Sequence, residues 1–302
     1  MNVLINVVLP VFIVAGLAAL AKARLGLHAR SISRVAFYLF TPALVFDSLS
    51  TTNVGWDVFG KLAAIMIILA ILMWMLGTLA SRLMGLQGTT QAAFLVAILI
   101  MNVGNYGIPI NSFAFGPASL APASVFFTMG AMLSASLGVF LSARGQASAK
   151  LALRRTVSQP LVYAAALGLL VNLSGWTVPE PLSRAFHLMG QGSVPTMLVV
   201  LGIKLADLMQ NRQRTVHVPA LVFVTVARLL LAPAIAWLLA GAMGLQGLAR
   251  NVAIVEAAMP TAVITTILAT EFETDSSFAA LCVLVTTLIS LPTLTLLLNL
   301  LQ

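Results

Sequence analysis

Ten stretches of about twenty mostly apolar residues succeed one another along this chain, and that pattern limits its fold more than any other feature. A helix needs about 20 such residues to cross about 30 Å of hydrocarbon. The stretches cover 3–22, 32–50, 60–82, 90–115, 121–142, 158–176, 184–205, 217–241, 249–270 and 277–301. Each is continuous and rich in Leu and Ala, unlike the ten-residue alternating segments of a membrane barrel, so the expected class is an all-α integral membrane protein. Composition agrees. Charged residues make up 8% of the 302, too few to cover a water-soluble body for which about 25% is usual. Met1 to Ala21 is apolar but lacks a basic leading region and runs into Lys22 and Arg24, so it reads as a first span rather than a cleaved signal.

The net charge of +8 would point to nucleic acid in a soluble protein, but here it follows from loop Lys and Arg. With ten spans, the odd-numbered loops hold Lys22, Arg24, Arg30, Arg34, Arg82, Arg144, Lys150, Arg154, Arg155, Lys204, Arg212 and Arg214. The other side holds Lys61, Arg184 and Arg250, and Arg228 lies inside span 8. Twelve against three places the odd loops in the cytoplasm and both termini outside. The lone Cys282 excludes an internal disulfide and a cysteine metal cluster.

The chain reads as two copies of one five-span unit, residues 1–142 and 158–302, joined by a basic cytoplasmic connector over 143–157. Met84-Gly85-Leu86-Gln87-Gly88 recurs identically as Met243-Gly244-Leu245-Gln246-Gly247, entering spans 4 and 9. Pro10, Pro42 and Pro109 have counterparts in Pro160, Pro195 and Pro260. An odd number of spans per copy inverts the second copy, the architecture of many secondary transporters.

Two segments interrupt their spans. Asn102-Val103-Gly104-Asn105-Tyr106-Gly107-Ile108-Pro109 collects helix-weakening residues at membrane depth, with Pro109 expected to break span 4. Freed backbone groups there must face protein or a water-filled cavity. Either half-helix ends face a substrate, or Asn side chains bond neighbouring helices around a kink. The second segment, Glu256-Ala257-Ala258-Met259-Pro260-Thr261-Ala262, carries an acid in an apolar span, at a cost of about 2.5 kcal/mol or more if charged at the bilayer centre. Glu256 is then a proton site, a cavity wall or a structural carboxyl at the break. Thr261, Thr265 and Thr266 add hydroxyls or bond their own helix. Arg228 pairs with an acid such as Glu256, awaits an anionic substrate or snorkels. Asp47, His187 and Lys204 read as interfacial, and Glu271, Glu273 and Asp275 as a solvated acidic loop. No P-loop, HExxH or GxSxG is present, and a single membrane acid makes hydrolysis a poor fit, so an enzyme is not expected.

Taken together, the ten spans in two inverted fives, Asn-Val-Gly-Asn-Tyr-Gly-Ile-Pro in span 4 and Glu-Ala-Ala-Met-Pro in span 9 resemble the auxin efflux carrier family, and more distantly the bile acid:sodium symporters. The likeness spans the whole chain, in the compact form that lacks a long central hydrophilic loop. It implies crossed, proline-broken helices 4 and 9 forming a mid-membrane substrate site. It also implies a scaffold of spans 1, 2, 6 and 7, often dimeric, against which spans 3–5 and 8–10 move as an elevator. The resulting expectation is a secondary carrier of a small organic anion in the cytoplasmic membrane. The resemblance names malonate, malate or an auxin-like acid. Asn102, Gly104, Asn105, Tyr106, Pro109, Pro260, Thr261 and Arg228 would bind it, and Glu256 would couple transport to H+ or Na+. No metal or other cofactor and no nucleic acid partner is expected. A sodium-coupled symporter and a non-transporting membrane receptor are the alternatives.

Overall fold

The computed structural model describes residues 3–51, 55–142, 154, 157–210 and 217–301. The connector expected over 143–157 lies outside the described residues, save Arg154 and Val157, as do Arg212 and Arg214. The described chain is helical, with one isolated β-bridge. In order the helices are α1 (4–25), α2 (29–51), α3 (Trp56–Leu83), α4 (Gly88–Leu99), α5 (103–115), α6 (Pro117–Ser142), α7 (Pro160–Ser174), α8 (Glu180–Gln191), α9 (Ser193–Gln210), α10 (Val218–Ala242), α11 (Gly247–Ala257), α12 (Ile264–Glu271) and α13 (Ser276–Leu301).

Among the described residues, seven helical stretches are long and apolar enough to cross a membrane: α1, α2, α3, α6, the nearly continuous α8–α9, α10 and α13. The shorter α4 and α7 are apolar too. Large side chains such as Leu20, Leu79, Leu170, Leu238 and Leu296 stand exposed on these helices, an arrangement that suits hydrocarbon rather than water. The chain is a multi-pass membrane protein. Expected spans 4 and 9 are each divided, into α4 and α5 and into α11 and α12.

Four prolines inside the spans widen their helices instead of ending them. A proline has no amide to donate, and its ring clashes with the carbonyl four residues back. At Pro10, Pro42, Pro109 and Pro233 the residue just before the proline donates to the carbonyl five residues back: Leu9 to Leu4, Thr41 to Ala36, Ile108 to Val103 and Ala232 to Ala227. Each makes one π-helical turn, and the helix continues beyond it.

The repeated pentapeptide is a helix-to-helix device with the same geometry in both places. Gly85 and Gly244 are left-handed, with φ of 65° and 63°. The amides of Leu86 and Gly85 reach Ser81 and Arg82 carbonyls at 2.9 and 3.1 Å, and those of Leu245 and Gly244 reach Ala240 and Gly241 at 2.8 and 3.1 Å. This is a Schellman cap, with a buried Leu supplying its apolar contact. The extended Gln87 and Gln246 then start α4 and α11.

The helices pack in two groups. α2 lies against α7 and α8, and α1 against α9, where the Gly202 position faces the Ala15 carbonyl with no room for a Cβ. α3, α4, α6, α10, α11 and α13 pack among themselves around the two breaks. The groups meet where α9 touches α5 and where α2 and α7 touch α6.

Candidate functional site

The two breaks lie side by side. α4 stops at Leu99, Ile100 is extended (φ −93°, ψ 103°), and helix resumes at Val103. The break in span 4 therefore falls at Ile100–Asn102, upstream of Pro109. The π turn accommodates Pro109 within α5, so that proline does not break the span as expected. The other break runs from Ala258 to Val263 and contains Pro260, as expected. Met101 and Thr261 form an antiparallel bridge, with Asn102 N donating to Pro260 O and Ala262 N to Ile100 O, both at 2.9 Å. Each break thus satisfies backbone groups that the other exposes, away from water.

A cavity of about 280 Å³ borders this crossing. Asn102, Gly104 and Asn105 line it, together with Ala262, Val263 and Ile264 from the other break, Phe127 and Ser134 from α6, and Phe37, Thr41, Gln159 and Leu161 from the α2 and α7 side. No lining residue is charged. The N-terminal ends of α5 and α12 both border it, and the first amides of a helix have no partner within the helix. Those ends carry partial positive charge, about half an elementary charge each. Three buried polar atoms of the wall, Asn102 Nδ2, Asn105 Oδ1 and Ser134 Oγ, make no hydrogen bond within the protein. Buried polar atoms are rarely left so, and each would meet a polar ligand group at little cost.

Of the other expected site residues, none lines the cavity. Tyr106 is buried elsewhere, its hydroxyl 3.0 Å from Ser290 Oγ and its ring edge-on to Phe12. Pro109 is buried in α5, and Pro260 contributes its carbonyl to the bridge. Thr261 donates from its hydroxyl to Ala97 O at 2.9 Å, and its amide donates to Thr286 Oγ1 at 3.1 Å. The Thr265 and Thr266 hydroxyls bond carbonyls three residues back.

Glu256 and Arg228 are both fully buried and do not pair with each other. Glu256 Oε1 accepts from Asn111 Nδ2 at 2.9 Å, and Asn111 also donates to the Gly107 carbonyl at 3.0 Å. Glu256 Oε2 makes no hydrogen bond, and the carboxyl fills the space where a Cβ on Gly107 would stand. Arg228 gives its donors to backbone carbonyls: Ile98 O at 3.0 Å, Ala257 O at 2.8 Å and Met259 O at 3.2 and 3.4 Å. The Ile98 and Ala257 carbonyls belong to the C-terminal ends of α4 and α11, the negative ends of the first half-helices, and the Met259 carbonyl to the unwound backbone just beyond α11.

Outside the crossing, Asp47 pairs with His187 at 2.9 Å and Lys22 pairs with Asp207. Asp275 is more than a solvated acid. It caps α13 by accepting from Phe278 N at 2.9 Å and takes a bond from Thr90 Oγ1 at 3.1 Å. Sequence reasoning missed Asn111, Ser134, Gln159 and Thr41. Asn111 alone gave a signal, standing four residues after Gly107 on the same helical face.

Paired helix breaks with opposed dipole ends define a class, the membrane carriers built on discontinuous helices. Residues 3–298 match the family described as Membrane transport protein, and the chain belongs to that family, the auxin efflux carrier-like transporters. The expected kinship is borne out. An uncharacterized transporter of Methanothermobacter thermautotrophicus is 29% identical over 272 residues, covering 88% of this chain and 87% of its own. One from Methanocaldococcus jannaschii is 23% identical over 272 residues, 87% of each chain.

Proposed function

We propose that this protein is a secondary carrier of a small organic anion, and that the anion is a monocarboxylate with an apolar body. The observation that carries this is the uncharged cavity at which two half-helix N-termini meet unpartnered Asn102, Asn105 and Ser134 atoms. Two such termini supply about one positive charge together, enough for one carboxylate and not for two. Phe37, Ile100, Met101, Phe127, Leu161 and Val263 suit an apolar remainder. That favours an auxin-like acid over malonate or malate.

The same reading takes in what else the sequence leads one to expect. Residues 1–142 and 158–302 are inverted five-span repeats, supported by the twin Schellman caps and the antiparallel bridge between the breaks. The α1, α2, α7 and α9 group is the scaffold, and a homodimer forms through it. The rest moves as an elevator, with the cavity opening alternately to each side of the cytoplasmic membrane. Both termini lie outside. Glu256, with Asn111 and Gly107, is the coupling group for H+, since burial against an amide and a backbone leaves room for a proton but offers a metal few oxygens. Uptake of a radiolabelled aromatic monocarboxylate into proteoliposomes tests the reading. Saturable uptake supports it, whereas saturable binding without uptake is the result for a receptor. Replacing Glu256 by Gln should leave substrate binding and remove the pH dependence of net uptake. An unchanged pH profile would make the carboxyl structural.

A further inference from the structure

We infer that Arg228 is a resident cation, a guanidinium built into the helix crossing where a coupling metal ion would otherwise be held, so that this site takes no sodium. The inference goes beyond the carrier reading but rests on it in treating the crossing as the working centre.

The ligand set is that of a cation site. Three backbone carbonyls converge on one guanidinium: Ile98 and Ala257 from the ends of the two first half-helices, and Met259 from the unwound backbone just beyond α11. Carbonyls of unwound backbone and half-helix C-termini are the oxygens that hold Na+ in carriers with broken helices. Here a side chain occupies the place, with 0% exposure. The delivery is equally specific. Pro233 forces the π turn at Ala227–Leu231, and Arg228 is the second residue of that turn. Such a turn changes the direction of side chains relative to a regular helix and recurs at functional positions.

Charge arithmetic also favours the guanidinium. An unpaired charge in the membrane interior is expensive, and every hydrogen bond of Arg228 goes to a carbonyl rather than to an acid. Two helix C-termini of about half a negative charge each sum to about one negative charge, equal and opposite to one guanidinium. A sodium ion beside it would leave an uncompensated positive charge in a dry site. Glu256 leaves this balance unchanged in its protonated form, in which the carboxyl held by Asn111 against Gly107 carries no charge. The crossing is therefore electrically matched on both faces: a fixed cation at the C-terminal ends, and the substrate anion at the N-terminal ends.

The test reads thermal stability of the purified protein in detergent, which is independent of whether substrate moves. The wild-type Tm should be the same in NaCl, KCl and choline chloride at equal ionic strength. Arg228→Ala should lose stability, and low-millimolar guanidinium chloride should restore it saturably, by several degrees, where equal urea or KCl does not. Arg228→Ala should also gain a saturable stabilisation by NaCl that the wild type lacks. Arg228→Lys keeps the charge and should remain insensitive to sodium, which separates the cation role from mere filling of space. A saturable, sodium-specific rise in the wild-type Tm would overturn the inference whatever the variants do. So would an Arg228→Ala protein that folds with unchanged Tm and responds to neither cation. If proteoliposomes show no uptake while these shifts appear, the carrier reading fails and the cation site stands.

Discussion

Asn105 sits at the first turn of a half-helix, almost fully buried, with a carbonyl oxygen that has no partner in the protein. Its neighbour Asn102 offers an amide in the same state. If these atoms take up the substrate, Asn102→Ala removes an amide donor to the carboxylate, and Asn105→Ala removes an acceptor for an N–H or O–H elsewhere on the ligand. A bond to the charged carboxylate contributes about 1.5–3 kcal/mol, so affinity for a monocarboxylate should fall by about 10- to 100-fold in Asn102→Ala and by less in Asn105→Ala, measured by isothermal titration. The fold should survive, since neither side-chain atom holds another residue in place. Unchanged affinity in both variants would take the asparagines out of the site. Gly107 makes a different point. A methyl group there lands on the Glu256 carboxyl, so Gly107→Ala should destabilise by about 1–3 kcal/mol as overpacking does. Glu256→Ala in the same protein opens that space and should recover part of the loss. A double-mutant cycle by thermal unfolding reads the coupling, and strictly additive effects would contradict the contact.

The repeated Met-Gly-Leu-Gln-Gly makes the same prediction twice. A left-handed residue with a Cβ costs about 1–2 kcal/mol, so Gly85→Ala and Gly244→Ala should each lower stability by about that amount and by similar degrees. A loss at one position only would mean the two turns do not do the same job. The helices themselves were readable from hydropathy, and the two breaks from Gly, Asn and Pro at membrane depth. Where the first break falls was not. A π turn lets Pro109 stay inside a helix, and nothing in the composition distinguishes a proline that ends a helix from one that widens it. The site was half legible. Asn102 and Asn105 stand out because amides are rare in apolar spans, but Ser134 and Thr41 are ordinary residues of such helices until packing brings them to a cavity. Arg228 was conspicuous, yet its partners are backbone carbonyls, which every residue carries and no sequence marks.

Across the molecule, the α1, α2, α7 and α9 group and the group around the breaks meet along the cavity, whose wall takes Thr41 and Gln159 from one and Asn102 and Ser134 from the other. In the proposed elevator, sliding one group past the other carries the anion with the crossing while the scaffold stays still. The proposed orientation puts the basic loops in the cytoplasm. A cysteine replacing Arg154 should react with an impermeant maleimide only from the cytoplasm, and one replacing the exposed Thr177 only from outside. Cys282 is buried and should stay silent. Labelling of both from one face would contradict the orientation. Substrate counterflow in proteoliposomes decides whether the crossing is a carrier site. Vesicles loaded with unlabelled aromatic monocarboxylate and diluted into a trace of the labelled acid should take up label transiently above equilibrium. An Asn102→Ala, Asn105→Ala protein should not, and malonate inside the vesicles should not drive the uptake. Label that only equilibrates, or that overshoots equally with the double variant, would contradict a substrate site at the crossed breaks.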